Sequence, residues 1–258
     1  MSAPKVPLQE STIVEYARRL QLSTLGKQFA RLAEEAAKQN RSHLSYLEIL
    51  LETELEERER NAITRRIQEA HFPKVKTLDE FDFPKAPHVP AALIRNLAEG
   101  GYLKRSEPVL FLGEAGTGKT HLATGLAVAA CRQRKRVRFT TAANLINELI
   151  EARNQNELNR VTNRWTRLDL IVIDEMAYVT VPESAAELLF QVIAGRAERA
   201  AVIVTTNLPF SEWTTMFPNA RLCKAMVDRL TDQAHIIETG NDSYRFRRTL
   251  EKKKGGKR

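Results

Sequence analysis

Gly113-Glu114-Ala115-Gly116-Thr117-Gly118-Lys119-Thr120 is a complete G-x-x-x-x-G-K-T phosphate-binding loop. Its flanks are what such a loop requires. Val109-Leu110-Phe111-Leu112 reads as a buried strand feeding into it, and His121 to Cys131, rich in Ala and Leu, reads as the helix leaving it. The glycines let the backbone curl so that successive N–H groups face phosphate oxygens, and the helix N-terminus adds partial positive charge. Lys119 then reaches the terminal phosphates and Thr120 offers a hydroxyl to magnesium.

Leu170-Ile171-Val172-Ile173-Asp174-Glu175 is the second decisive stretch, a fully apolar run ending in two adjacent carboxylates. It is too short and too β-branched for a helix and fits a central parallel strand buried on both faces. Asp174 is placed to hold magnesium, and Glu175 to orient and deprotonate an attacking water. Together the two stretches imply a site that binds and hydrolyses a nucleoside triphosphate with Mg2+.

Around these stretches, strand and helix patterns alternate: strands at Val109–Leu112, Val137–Thr140, Leu170–Ile173, Val202–Thr206 and His235–Glu238, with helical stretches between them. The expected class is α/β, a five-stranded parallel sheet with helices on both faces and ligands at the carboxyl ends of the strands. Ala201 to Thr206 is a further apolar strand, ending at Asn207, which would face the γ-phosphate and the attacking water from between the loop strand and the acidic strand.

The N-terminal region reads differently. Thr12-x-x-Glu15 and Ser45-x-x-Glu48 have the form of capping boxes, and Leu22, Leu25, Phe29, Leu32 and Ala36 recur at helical spacing. These predict a small all-helical domain over residues 1–70. Pro73, Pro84, Pro87 and Pro90 make 71–90 a linker. Within it Phe81 and Phe83 are candidates either to pack on an adenine base or to tether the linker to the core. The catalytic domain is expected over 91–250 and a basic tail over 251–258.

The chain has 258 residues, 43% of them hydrophobic, and a formal net charge of +8. Its apolar runs fall short of the roughly 18 residues a membrane span needs, and its N-terminus leads into no apolar signal region, so a cytoplasmic protein without membrane contact is expected. Cys131 and Cys223 lie far apart and read as reduced thiols. The positive charge is uneven. The first 70 residues carry as many acids as bases, whereas Lys135 and Arg136 sit in one basic cluster, Arg153, Arg160 and Arg164 in a second, and a third crowds the C-terminus. That distribution points to a polyanionic partner, nucleic acid foremost.

The chain resembles the AAA+ ATPases of the initiator clade, the branch holding DnaC-type helicase loaders and IstB-type transposition helpers. The carriers are Gly-Glu-Ala-Gly-Thr-Gly-Lys-Thr-His (113–121), Val-Ile-Asp-Glu (172–175), Thr-Thr-Asn (205–207), Val-Asp-Arg-Leu (227–230) and Asp-Ser-Tyr-Arg (242–245). With Thr77 to Phe83 they are more similar to IstB than to DnaC. The resemblance implies ATP as the nucleotide, Asn207 as sensor 1, Arg229 as an arginine finger reaching a neighbouring subunit's site, and Arg245 as the sensor 2 arginine. It also implies that Phe139 to Leu168 corresponds to the clade's helical insertion, which directs subunits into a spiral around DNA with Arg153, Arg160 and Arg164 facing inward. The function it implies is an ATP-dependent DNA-binding helper that self-associates and acts on a cognate transposase. The alternatives are a replicative helicase loader and a non-cycling, ATP-gated DNA-binding regulator.

Overall fold

The computed structural model describes residues 8–176, 182–197, 199–217 and 219–241. The chain divides into two compact units, Met1–Thr64 and Arg65–Arg258.

The first unit is helical. It holds α1 (Leu8–Arg19), α2 (Ser23–Lys38) and most of α3 (His43–Glu69). Phe29 and Leu32 of α2 close on Leu50 of α3, a core small enough that each polar contact around it counts. The most telling is Glu54, buried at the start of α2. Its carboxylate accepts the backbone N–H groups of Thr24 and Leu25 at 2.8 and 2.9 Å, two donors a helix N-terminus leaves without intrahelical partners. Arg58 Nε binds the other carboxylate oxygen at 2.7 Å. Burial alone would raise the Glu54 pKa, but these hydrogen bonds outweigh it and hold the carboxyl below its ordinary value.

The two capping boxes expected here do not start their helices. Thr12 lies inside α1, where its hydroxyl bonds back to the Leu8 carbonyl at 2.9 Å. Ser42, not Ser45, stands before α3, its Oγ accepting from Ser45 N at 3.2 Å. Leu22, first of the residues at helical spacing, precedes α2, and Gln21, with φ of 58°, separates α2 from α1.

The second unit is an α/β domain. Five parallel strands, β1 (Val109–Leu112), β2 (Val137–Thr141), β3 (Leu170–Asp174), β4 (Ala201–Thr206) and β5 (His235–Glu238), lie in the order β2-β3-β4-β1-β5. Val109 to Leu112 pair with Ile203 to Thr206 on one side and with His235 to Glu238 on the other. β3 and β4 are buried along their whole length, as parallel strands covered on both faces must be. On one face α6 (Lys119–Arg132) presses Leu122 and Leu126 against Val109, Phe111, Val172 and Ile203, with α4 (Ala91–Ala98) and α5 (Gly101–Arg105) packed in the same cluster. On the other face α7 (Ala142–Asn154), α8 (Leu158–Thr166), α9 (Glu183–Arg196) and α10 (Ala220–Thr231) cover Leu110, Ile171, Ile173, Val202 and Val204.

Residues 71–90 pack on this domain: Leu78, Phe81 and Phe83 lie against the α6-side core, and the Phe72 ring meets Phe139 edge to face at 6.1 Å. Phe139 itself is 6% exposed and belongs to β2, so a helical insertion cannot begin at that residue as expected from the resemblance. The alternation Val-Arg-Phe-Thr-Thr sends Val137 and Phe139 into the core and makes the stretch a strand through Thr141. The helical segment that follows is α7 and α8.

Arg196 fastens that segment. Its guanidinium is 1% exposed and donates to the carbonyls of Trp165 at 2.7 Å, Leu168 at 3.1 Å and Ala201 at 2.9 Å. It thereby ties the C-terminal end of α8 to the first residue of β4. Desolvation pushes its pKa down to about 10, still well above neutrality. Among the described residues no helix is long and apolar enough to cross a membrane. Cys131 and Cys223 are free and buried.

Candidate functional site

The phosphate loop joins β1 to α6 with Gly116 and Gly118 at φ of 88° and 103°, conformations that side-chain-bearing residues rarely adopt. At Gly118 the need is doubled, because a Cβ would lie 2.7 Å from the Phe81 ring. Lys119, first residue of α6, turns its Nζ back onto the carbonyls of Gly113 at 2.6 Å and Glu114 at 2.8 Å, which closes the loop into a ring. The floor is fixed by hydroxyls. Thr239 Oγ1 donates to Leu112 O at 3.0 Å and accepts from Thr117 Oγ1 at 2.6 Å, with Glu114 O 2.9 Å from the same Thr117 hydroxyl.

A cleft of about 400 Å³ opens beside the loop, lined by Gly116, Gly118, Lys119, Phe81, His88 and Thr239 among others. Phe81 forms one wall. It packs edge to face on Phe83 at 4.8 Å and on His121 at 5.3 Å, so Phe83 stands behind Phe81 and not on the cleft. His121 is pinned by its Nε2 to the Thr77 carbonyl at 2.9 Å. Desolvation lowers its pKa, which favours the neutral ring beside the loop.

Asp174 ends β3 with its side chain on the α6 face of the sheet. Thr120 Oγ1 lies 3.1 Å from both of its carboxylate oxygens, and Thr205 Oγ1 donates to Oδ1 at 2.5 Å. A hydroxyl and a carboxylate meeting at one point are hard oxygen donors of the kind Mg2+ takes, so the residues present fit that ion. Glu175, next along, is exposed and has φ of 59°. The two acids line a second cleft, of about 490 Å³, with Thr140, Asn144, Glu148 and Trp165. Asn207 follows β4, half-buried, between the strand that carries the loop and the strand that carries the acids.

Arg229 stands elsewhere. It is exposed near the end of α10, its guanidinium 5.7 Å from the Phe190 ring centre. It lines a cleft with Pro108, Glu107 and Asp232, and Pro108 precedes β1 whereas the phosphate loop follows it. The arginine and the loop are therefore at opposite ends of β1. In the same cleft the hydrogen bond from Arg105, with a second from His235, holds the Glu107 carboxyl down to about 2. Arg245 falls outside the described residues.

The basic residues singled out for DNA sit on the surface of the second unit. Arg153 lies in the last turn of α7 and is exposed. Arg160 pairs with Glu157, and Arg164, one turn further along α8, pairs with Glu148. Trp165 Nε1 holds the second oxygen of Glu148 at 3.1 Å. Arg136 is paired with Asp169 at 3.3 Å, and Lys135 precedes it in the turn before β2.

This arrangement and the sequence around it match the IstB-like ATP binding protein family over residues 15–252. The chain belongs to that family. Among its relatives is a Geobacillus stearothermophilus protein whose name gives it as an ATP-binding protein of insertion sequence IS5376, 36% identical over 91% of this chain and 94% of its own length. Another, from Pseudomonas aeruginosa, carries the corresponding name for insertion sequence IS21. It is 34% identical over 92% of this chain and 89% of its own length. Solved structures with a similar fold include the Aquifex aeolicus DnaA bound to AMPPCP, with a TM-score of 0.56, 20% identity, and 71% of this chain and 56% of that one covered. The DnaC helicase loader gives 0.52 at 18% identity, over 58% and 87%. The fold is that of the AAA+ ATPases, and this IstB-like chain is an ATP-binding protein.

Two participants in the site's geometry escape a sequence reading. Thr239 closes the loop's floor from 122 residues away, and Thr205 binds an acid 31 residues before it. The only local signal is a hydroxyl at the end of an apolar strand.

Proposed function

We propose that this IstB-like protein hydrolyses ATP and works in the cytoplasm as a DNA-binding helper of a transposase, assembling with copies of itself on duplex DNA. The observation that carries the reading is the meeting of Thr120 with Asp174, with Lys119 on the loop carbonyls and Glu175 next to Asp174, at the carboxyl ends of β1 and β3. The loop N–H groups and Lys119 bind the phosphates, while Phe81 provides an apolar wall for the base. Thr120 and Asp174 would hold Mg2+, which would neutralise negative charge on the phosphates. Glu175 takes the proton of a water as its oxygen bonds to the γ-phosphorus and the bond to the β–γ bridging oxygen breaks. Asn207 orients that water.

Arg229 acts in trans. Its place at the far end of β1 from its own loop supports this, since a cis role would require it to reach the whole length of that strand. Hydrolysis then depends on assembly, and Arg245 contacts the γ-phosphate from within its own subunit. Relatives named for insertion sequences support placing the activity beside a transposase. Arg160 and Arg164 exchange Glu157 and Glu148 for DNA phosphates, joined by Arg153 and helped by Lys135, Arg136 and the C-terminal basic residues. Exposed ion pairs are worth little, so the exchange costs little.

The test is DNA binding across a salt series, with and without a non-hydrolysable ATP analogue. Binding should need the analogue, favour duplex over single strands, and lose roughly 0.9 in salt slope per phosphate contact removed. The triple Arg153, Arg160, Arg164→Ala variant should flatten the slope. Nucleotide-independent affinity, or a preference for single strands with no effect on transposase strand transfer, would contradict the reading.

A further inference from the structure

Thr205 stands beside both acids of the site. It lies near the end of β4, the strand between the one that carries the phosphate loop and the one that carries the acids, and is 1% exposed. Strand alternation places Ala201, Ile203 and Thr205 on the α6 face, and likewise Leu170, Val172 and Asp174. The hydroxyl of Thr205 and the carboxylate of Asp174 are thus turned to the same side of adjacent strands, where Thr120 also arrives.

A carboxylate can only accept and a backbone N–H can only donate, so a group that binds one of each must do both. A hydroxyl does. Thr205 Oγ1 donates to Asp174 Oδ1 at 2.5 Å and accepts from Glu175 N at 3.0 Å, while the Thr205 carbonyl accepts from Met176 N at 2.9 Å. The backbone is therefore tied to Thr205 immediately before and immediately after the Glu175 Cα. Glu175 needs such a clamp, because its φ of 59° is a left-handed conformation unfavourable for a residue with a Cβ and persists only where surrounding structure imposes it. The β-branched side chain of Thr205 restricts its own rotamer, which holds the hydroxyl on both partners at once.

We infer that Thr205 is a positioning residue for ATP hydrolysis, aligning the carboxylate of Asp174 and the backbone of Glu175 through one hydroxyl. The inference rests on Glu175 being the water-activating acid. Thr205 touches neither phosphate nor water in this role; it sets where Glu175 stands. Misplacing a catalytic group by about 1 Å costs on the order of 100-fold in rate, whereas binding by the loop and Lys119 does not depend on that carboxylate.

The test compares Thr205→Val, which keeps shape and loses the hydroxyl, with Thr205→Ser, which keeps the hydroxyl. Phosphate release and affinity for a fluorescent ATP analogue are measured in each, with Glu175→Gln alongside. Thr205→Val should lower kcat roughly 10- to 100-fold with affinity within about threefold of wild type, and Thr205→Ser should recover most of the rate. Should Thr205→Val fail to fold, Thr205→Cys, a weak donor of similar size, carries the same comparison. Wild-type kcat in the hydroxyl-free variant, or a serine variant no better than valine, overturns the positioning role. A parallel loss of affinity would make Thr205 a general structural support and overturn it too. Wild-type turnover in Glu175→Gln would instead bring down the reading of Glu175 on which the inference stands.

Discussion

Thr120 and Asp174, 54 residues apart in the chain, meet with the threonine hydroxyl 3.1 Å from each carboxylate oxygen. The contact is a consequence of topology. α6 starts at the carboxyl end of β1, Asp174 ends β3, and β4 lies between them, so the first turn of α6 reaches across β4 to the acid. Everything else in the site is arranged around that crossing: the loop on one side, Glu175 and Asn207 on the other, and Thr205 beneath.

Arg229 gives the sharpest test of assembly. Arg229→Ala should bind ATP with unchanged affinity and hydrolyse it at least about tenfold more slowly, since an arginine supplied at the transferring phosphoryl group is worth 10³–10⁵ in the strongest known cases, of which about tenfold is a floor. Mixing it with Glu175→Gln should restore part of the rate, because some interfaces then pair an intact arginine with an intact acid. Steady-state phosphate release against mixing ratio reads this. An unchanged rate in Arg229→Ala alone would remove the arginine from the mechanism, and a mixture no faster than its components would contradict action in trans.

Glu54 predicts a pH dependence in the helical unit. Its folded-state pKa is lowered, so the stability it contributes is present above the pKa of the unfolded chain and is lost as pH falls through the folded value. Glu54→Ala should cost about 1–2 kcal/mol at neutral pH by leaving the Thr24 and Leu25 N–H groups without this acceptor. The gap between wild type and variant should close as pH drops through the acidic range. Denaturant melts at several pH values measure it, and a gap independent of pH would contradict the assignment.

Arg196 predicts a loss without pH dependence near neutrality. Arg196→Met removes three hydrogen bonds and leaves the carbonyls of Trp165, Leu168 and Ala201 in the core without this donor. The expected cost is about 3 kcal/mol. Because the guanidinium ties α8 to β4, amide exchange in α8 should rise more than in β3. Uniform exchange across both elements would mean Arg196 does not act locally.

What the sequence made legible follows from how local each signal is. The phosphate loop and Leu170 to Glu175 declare their strand and turn within eight residues, and β1 to β5 lie within a residue of their expected limits. Helix starts were harder. Thr12 and Ser45 have capping-box spacing, yet α1 begins at Leu8 and α3 at His43, because a hydroxyl can serve an upstream carbonyl or be served by an earlier serine as readily as it can cap. Phe139 shows how a resemblance can mislead at a boundary: whether a residue starts a helical segment or stays in a strand is decided by whether its side chain reaches the core. Glu54, Thr205 and Thr239 were invisible for a common reason. Each acts on a partner that only the fold brings near, and no spacing in the chain records it.

Hydrolysis at Glu175 is the claim on which the rest depends, and one paired measurement addresses it: ATP turnover and ATP affinity in wild type, Glu175→Gln and Lys119→Ala. The amide of Glu175→Gln keeps the shape of the acid and cannot take a proton from water. That variant should bind ATP as wild type does and lose at least about 100-fold in turnover. Lys119→Ala should fail at the earlier step, with affinity lowered at least about tenfold, because its Nζ is the loop's cation. Wild-type turnover in Glu175→Gln, with binding intact, would contradict the account.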